Sequence, residues 1–135
     1  MALNAEISPH HVEPQTVLAA RLGDTSKVLR IIDAKRGTVQ DSSRDGLPLL
    51  LLASARGDRD LVRGLLGRRA DPNSVGSGTW ASNTALMQAA AHGHVMAAAL
   101  LLAAGADAGS QSGISHKTPS QIAKESGHTT LANFI

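Results

Sequence analysis

Short apolar segments alternate with polar, glycine-containing breaks along this chain. Segments that contain alanine precede four of the glycines, Gly23, Gly57, Gly93 and Gly127, which are separated by 34, 36 and 34 residues. Aliphatic pairs follow the first three of these glycines by eight or nine residues: Ile31 and Ile32, Leu65 and Leu66, Leu101 and Leu102. The pattern predicts two short helices around each glycine turn, and the recurring spacing predicts four stacked units with one continuous core.

Each glycine also has an alanine four residues before it, at Ala19, Ala53, Ala89 and Ala123. Small side chains at this position would let neighbouring helices approach closely. The third unit, NTALMQAAAHGHVMAAALLLAAGAD over residues 83–107, is the most regular of the four.

This third unit resembles the ankyrin repeat, D-x-x-G-x-T-P-L-H-x-A-A-x-x-G-H followed by an aliphatic helix and G-A-D-x-N. Its matching residues are Thr84, Ala85, Leu86, Met87, Ala89, Ala90, Gly93, His94, Gly105, Ala106 and Asp107. The second unit matches at Gly46, Leu50, Ala53, Gly57, Ala70, Asp71 and Asn73, and the fourth at Thr118, Pro119, Ala123, Gly127 and His128. The first unit matches only at Ala19, Ala20, Gly23, Asp24 and the later aliphatic residues, as a terminal capping unit often would.

The resemblance implies an all-α ankyrin-repeat solenoid of helix-turn-helix units joined by hairpin loops. We place an N-terminal arm at residues 1–13 and the repeat domain at 14–135, with units of about 14–43, 44–76, 77–113 and 114–135.

Departures from the family pattern predict two local differences. The apolar run from Leu49 to Leu52 should leave the first helix of the second unit nearly enclosed. The hairpin glycine is kept only as Gly46, and Ser82 and His116 replace it later in the chain. Because only glycine adopts positive φ without steric cost, we expect these two later turns to depart from the family geometry.

Composition supports the same fold class. Trp80 and Phe134 are the only aromatic residues, so leucine and alanine must form the core, and the aromatic and β-branched alternation of a β-sandwich is missing. Cysteine is absent, which excludes a disulfide framework, a thiol nucleophile and thiolate metal ligands.

The sequence predicts neither membrane association nor targeting. The longest apolar run covers residues 95–104, about half of the ~20 residues that span a bilayer. The N-terminus carries Glu6 and Glu13 but no lysine or arginine, unlike a secretory or transit peptide. We expect the protein to be cytoplasmic, with the nucleus as an alternative.

Charge is uneven although the formal net charge is only +2. Residues 72–106 contain no Asp, Glu, Lys or Arg. Arg68 and Arg69 follow the outer helix of the second unit, where cations favour a helix C-terminus. Interleaved acids such as Asp58 and Asp60 dilute the positive field that phosphate binding needs, so nucleic-acid binding is the least favoured hypothesis.

No motif predicts catalysis, a cofactor or a metal site. Gly76, Gly78 and Ala81 satisfy G-x-G-x-x-A but lack the preceding strand of a dinucleotide site. The six histidines include the pairs His10 and His11, and His92 and His94, but zinc needs three or four convergent ligands. For His94 and His128 the resemblance implies a structural role. We therefore predict that the protein is not an enzyme and has no small-molecule substrate.

The resemblance implies partner contacts at the hairpin tips and at the exposed ends of the first helix of each unit. Ten residues carry over to this predicted concave surface, which we call the candidate strip: Arg21, Arg44, Asp45, Leu47, Arg56, Trp80, Asn83, His92, Lys117 and Glu125. Leu22 lies beside the first of them.

Trp80 leaves two interpretations open. Its loop is extended, with 13 steps from Asp71 to Thr84 against 11 from Asp107 to Thr118. The indole could project as a binding residue, because tryptophan is enriched where interfaces gain most affinity, or it could fold over the neighbouring hairpin.

The leading functional hypothesis is a noncatalytic module that binds a protein partner. The alternative, suggested by the apolar C-terminal residues LANFI, is a structural subunit or assembly factor of a larger complex. The chain would accordingly be a monomer or a component of a hetero-complex.

Overall fold

The structure is a computed structural model that describes residues 13–113 and 115–135, and these residues form eight α-helices in two layers. The inner layer contains α1 Gln15–Arg21, α3 Leu49–Arg56, α5 Ala85–His92 and α7 Pro119–Glu125. The outer layer contains α2 Thr25–Asp33, α4 Arg59–Gly67, α6 Val95–Ala103 and α8 Thr129–Phe134. Between them the described residues have isolated β-bridges, no strand, and a 3₁₀ turn at Gly78–Trp80. The predicted all-α repeat solenoid is confirmed.

Consecutive helices of each layer pack against one another, α1 to α3 to α5 to α7 inside and α2 to α4 to α6 outside. Each inner helix also packs on the outer helix of its own unit. Side chains therefore contact mainly their own unit and its neighbours, as a solenoid requires.

Helix starts follow from capping residues in the sequence. The Asp24 side chain accepts a hydrogen bond from the backbone N–H of Lys27, the third residue of α2, and the Asp58 side chain accepts one from Leu61, the third residue of α4. Thr84 caps α5 in the same way, and Thr118 forms a reciprocal capping box with Gln121 before Pro119. These bonds satisfy amides that have no partner within the helix, so each short helix begins at a defined residue.

Two inner helices end at the predicted glycines. Gly57 and Gly93 have φ values of 70° and 73°, in the left-handed region that a β-carbon disfavours. The chain then turns back at once, and residue 58 or 94 begins the outer helix of the same unit. The glycine spacing in the sequence therefore sets the spacing of the units.

The core runs continuously through all four units and consists of aliphatic side chains. Leu49 to Ser54 are all buried, which confirms the enclosed inner helix of the second unit. The four alanines that precede the glycines are buried too, at Ala19, Ala53, Ala89 and Ala123. Their small side chains lie where inner helices pack, as predicted.

The hairpin turns correct one prediction. Ser82 and His116 have φ values of 63° and 52°, so they take the left-handed conformation that Gly46 takes at 88°. The expected departure from the glycine geometry is therefore wrong. Packing of the repeat imposes the turn, although this conformation costs an L-residue roughly 1–2 kcal/mol.

Hydrogen bonds and an ion pair join successive units at their edges. The side-chain nitrogen of Asn73 donates to the Gly105 carbonyl oxygen at 3.1 Å, and its side-chain oxygen accepts a hydrogen bond from the Asp107 backbone N–H at 2.7 Å. The Arg68 guanidinium binds both carboxylate oxygens of Asp33 at 2.8 Å and donates to the Gly64 carbonyl at 3.0 Å. The contact of Arg68 with the end of α4 agrees with its predicted position, and its bond to the previous unit is an additional finding.

Candidate functional site

The candidate strip follows one edge of the inner layer, where hairpins meet helix ends. Arg21, Arg56 and His92 are exposed at the ends of α1, α3 and α5, and Glu125 is exposed at the end of α7. Arg44, Asp45, Trp80, Asn83 and Lys117 lie in the hairpins that precede the inner helices.

Leu47 is the exception, because only 7% of it is exposed. It lies between the hairpin turn and Pro48, and its amide donates to the Ser43 hydroxyl at 3.0 Å while its carbonyl accepts the Ser43 amide at 2.9 Å. The predicted exposure of Leu47 is therefore wrong: its side chain belongs to the core, and its backbone closes the turn.

The first end of the strip is built around a carboxylate that sequence reasoning assigned to the N-terminal arm. The Glu13 side chain accepts from the Arg21 guanidinium at 2.8 Å and from the Arg44 amide at 3.4 Å. The Glu13 side chain is mostly buried, with 12% exposed, whereas the Arg21 side chain is 46% exposed. Glu13 thus joins α1 to the hairpin of the second unit, between α2 and α3, and neutralises part of the positive charge there. We number each hairpin by the unit whose inner helix follows it.

The middle of the strip is a contact between two neighbouring hairpins. The Trp80 indole N–H donates to Asp45 Oδ2 at 3.0 Å, and the Ser43 hydroxyl donates to the other carboxylate oxygen. These two bonds, with a smaller contribution from the Arg21 charge, lower the pKa of Asp45 below its ordinary value of 3.8. Asp45 therefore stays ionised and binds the indole at neutral pH.

This contact decides between the two interpretations of Trp80. Its ring is half-buried against the core edge, and the Ser77 amide beside it donates to the Gly46 carbonyl at 2.9 Å. The indole folds over the neighbouring hairpin and does not project as a separate finger.

Histidines at the helix turns have the structural role predicted for them. His94 Nε2 lies 3.0 Å from the Ala55 carbonyl oxygen of the preceding unit, and its ring covers Gly57 so closely that a β-carbon there would be 2.4 Å away. His128 covers Gly93 in the same manner. His92 stays exposed on the strip, and its ring stacks on His94 with centroids 6.1 Å apart.

The last part of the strip pairs two predicted residues with each other. Lys117 Nζ lies 2.8 Å from Glu125 Oε2, so these charges largely offset one another. Beside them, an open groove of about 700 Å³ separates the third and fourth hairpins. The groove lining includes the polar, uncharged residues Thr79, Ser82, Asn83, Ser112 and Ser115.

Sequence reasoning missed Leu18, which is 42% exposed, next to Leu22 at 83%. The two leucines lie four residues apart and hence on one face of α1. Their spacing was visible in the sequence, but whether another helix covered them depended on the packing. The first unit therefore exposes apolar surface at Leu18 and Leu22.

Other chemistry is limited within residues 13–113 and 115–135. No group of three or more His, Asp or Glu side chains there could hold a metal ion. None of the described helices combines the length and apolar character needed to cross a bilayer. The pair His10 and His11, and the predicted arm apart from Glu13, lie outside the described residues.

The fold is a repeat solenoid, and the candidate strip lies along one edge of its inner layer. A family model for ankyrin repeats, built on three copies, matches residues 16–112 and 49–135. The chain belongs to the ankyrin-repeat family, whose repeats are generally protein–protein interaction modules and typically noncatalytic. A search of curated proteins found no match to the chain.

Proposed function

We propose that this protein is a noncatalytic module that binds a protein partner through the candidate strip, without Leu47. One observation carries the proposal. The scaffold position four residues before each turn glycine is alanine in all four units, whereas the exposed position directly before the glycine differs each time: Leu22, Arg56, His92 and Ser126. A constant framework that presents different side chains in a line is suited to reading a partner surface.

The chemistry of the strip favours a partner segment with apolar and acidic side chains. Leu18 and Leu22 offer exposed apolar area, and the Arg56 guanidinium lies over Gly23, the residue after Leu22, 3.4 Å from where a β-carbon would stand. Apolar contact supplies affinity, and arginine recognises carboxylates with directional hydrogen bonds.

Trp80 contributes to partner binding in a different way from a projecting tryptophan side chain. Its only donor group is already bound to Asp45, so it offers ring surface without a free hydrogen bond. The bond holds the second and third hairpins at a fixed separation, which reduces the entropy lost on binding.

The proposal is tested by affinity purification of the tagged chain with quantitative mass spectrometry. The strip variant Arg44→Ala with Arg56→Ala is compared with Lys27→Ala and Arg30→Ala, two exposed cations of α2 in the outer layer. Both variants lose two positive charges. The recovered amount of each protein enriched by the unmodified chain should fall at least tenfold with the strip variant. It should be unchanged with the α2 variant.

Equal retention by both variants would show that the strip is not the binding surface. No protein enriched over the tag alone would contradict protein binding altogether. The alternative role, an obligate subunit of a larger complex, predicts an aggregating or self-associating isolated chain, and light scattering on the purified protein separates it from a stable monomeric binder.

A further inference from the structure

The outer helix α6 differs from the other outer helices in what it exposes. Val95 and Met96 are 45% and 52% exposed, Ala103 is exposed and Ala99 is half-buried, whereas Ala97, Ala98 and Leu101 face the stack. We call Val95, Met96, Ala99 and Ala103 the α6 patch. Their spacing places them on one face of the helix.

The matching positions of neighbouring units are polar. The four-residue pattern that gives Val95, Met96 and Ala99 in α6 gives Arg59, Asp60 and Arg63 in α4, all exposed. In α8 the same positions are occupied by Thr129, Thr130 and Asn133, which are also exposed. The scaffold therefore accepts charge or hydroxyl groups here, so the apolar surface of α6 is not needed for stacking.

Charge around the patch is positive on one side only. The α4 helix packs against α6, and the exposed Arg59 and Arg63 hold on α4 the repeat positions that Val95 and Ala99 hold on α6. Arg59 lies 3.8 Å from Asp60, which offsets one cation, and Arg63 makes no ion pair with any other described residue. The α8 side supplies no charge at the matching positions.

The size of the patch favours a short partner element over a second copy of the chain. The nine residues of α6 span about 14 Å, so a strip one helix wide covers roughly 150 Å². A stable dimer buries about 800 Å² on each partner. Two turns of an amphipathic helix, with apolar residues at i, i+3 or i+4, and i+7, fit this length.

We propose that the α6 patch binds an amphipathic helix of a protein partner, with acidic side chains on the flank that faces Arg63. The site is separate from the candidate strip, since it lies on the outer layer. Apolar side chains of the partner cover Val95 and Met96, and a carboxylate reaches the Arg63 guanidinium.

The probe is a 14-residue helical peptide with leucine at i, i+3, i+4 and i+7 and glutamate on one flank. A matched peptide has lysine in place of glutamate. Titration of the isotope-labelled full chain, followed by amide NMR shifts, should place the largest changes at residues 95–103. The lysine peptide should bind several-fold more weakly, and Arg63→Glu should reverse this preference.

The variant Val95→Arg with Met96→Asp gives α6 the residues that α4 carries, so it should fold, and it should weaken glutamate-peptide binding at least tenfold. The control Thr129→Arg with Thr130→Asp makes the same change on α8 and should leave binding intact. Circular dichroism confirms that both variants keep their helix content.

Four outcomes would overturn the proposal. They are unchanged peptide binding by the α6 variant, shifts confined to the candidate strip, a dimer of the full chain that Val95→Arg with Met96→Asp dissolves, and co-sedimentation with phosphatidylserine vesicles that the same variant abolishes. The last two would assign the patch to a second copy or to an anionic lipid surface. The comparison of Arg44→Ala with Arg56→Ala against Lys27→Ala with Arg30→Ala tests the candidate strip separately.

Discussion

At the scale of single residues, the hairpin turns show packing overriding local preference. Ser82 and His116 occupy the left-handed region without the freedom of glycine. The side chain of Ser82 is exposed, so the strained backbone is not offset by burial of the residue itself. The free energy that holds Ser82 in this conformation must come from the units on either side, whose helices fix the ends of the hairpin.

Ser82→Gly should therefore stabilise the protein. Relief of the left-handed conformation raises the free energy of unfolding by about 1–2 kcal/mol. The extra conformational entropy of glycine in the unfolded chain lowers it by about 0.5–1 kcal/mol. Urea unfolding should show a net gain of roughly 0.5–1 kcal/mol. The matched control Ser77→Gly, at φ −132°, should lose about 0.5–1 kcal/mol because it relieves nothing. A loss at both positions would mean that the turn at Ser82 is unstrained.

The bond between Asp45 and Trp80 makes the tip of the third hairpin sensitive to acid. Hydrogen bonds from Ser43 and Trp80 lower the pKa of Asp45, so the folded state binds this proton more weakly than the unfolded state does. Its contribution to stability is complete above the ordinary value of 3.8 and is lost as the pH falls through the lower folded pKa.

Fluorescence of Trp80, the only tryptophan, should therefore change with a midpoint below pH 3.8 while circular dichroism still reports helix. Asp45→Asn should abolish this transition, because the amide does not titrate. A midpoint at or above 3.8 would contradict the hydrogen bonds that hold the carboxylate.

At the scale of helices, separation within the inner layer is set by alanine. Ala89 is fully buried where α5 packs between α3 and α7. A larger side chain there must push one of these helices away, since interiors are packed too closely to absorb it.

Ala89→Leu should thus destabilise the protein by about 1–3 kcal/mol in urea unfolding. Ala103→Leu places the same side chain at an exposed helical position and should stay within about 0.5 kcal/mol of the unmodified protein. Equal effects at the two positions would indicate that the spacing of the inner layer is not limited by Ala89.

At the scale of the whole molecule, the two layers divide the surface by chemistry. The inner edge presents paired charges and a tryptophan held between hairpins, as in Glu13 with Arg21, Asp45 with Trp80, and Lys117 with Glu125. The outer layer has cations on α2 and α4 and an uncharged α6. A solenoid separates such surfaces readily because each unit contributes one inner and one outer helix.

The sequence by itself determined the architecture: glycine spacing and apolar pairs predicted two helices in each of four units, because helices and turns depend on contacts close along the chain. The recurring alanines predicted where the inner helices approach one another. Most residues of the candidate strip are exposed as the sequence predicted, but the pairing of their side chains was not predicted. Leu47 is buried, Leu18 is exposed, Glu13 joins the strip, and Trp80 folds onto Asp45. Only the tertiary structure decided these features, because exposure and pairing depend on which residues of neighbouring units meet, 35 positions apart in the case of Asp45 and Trp80.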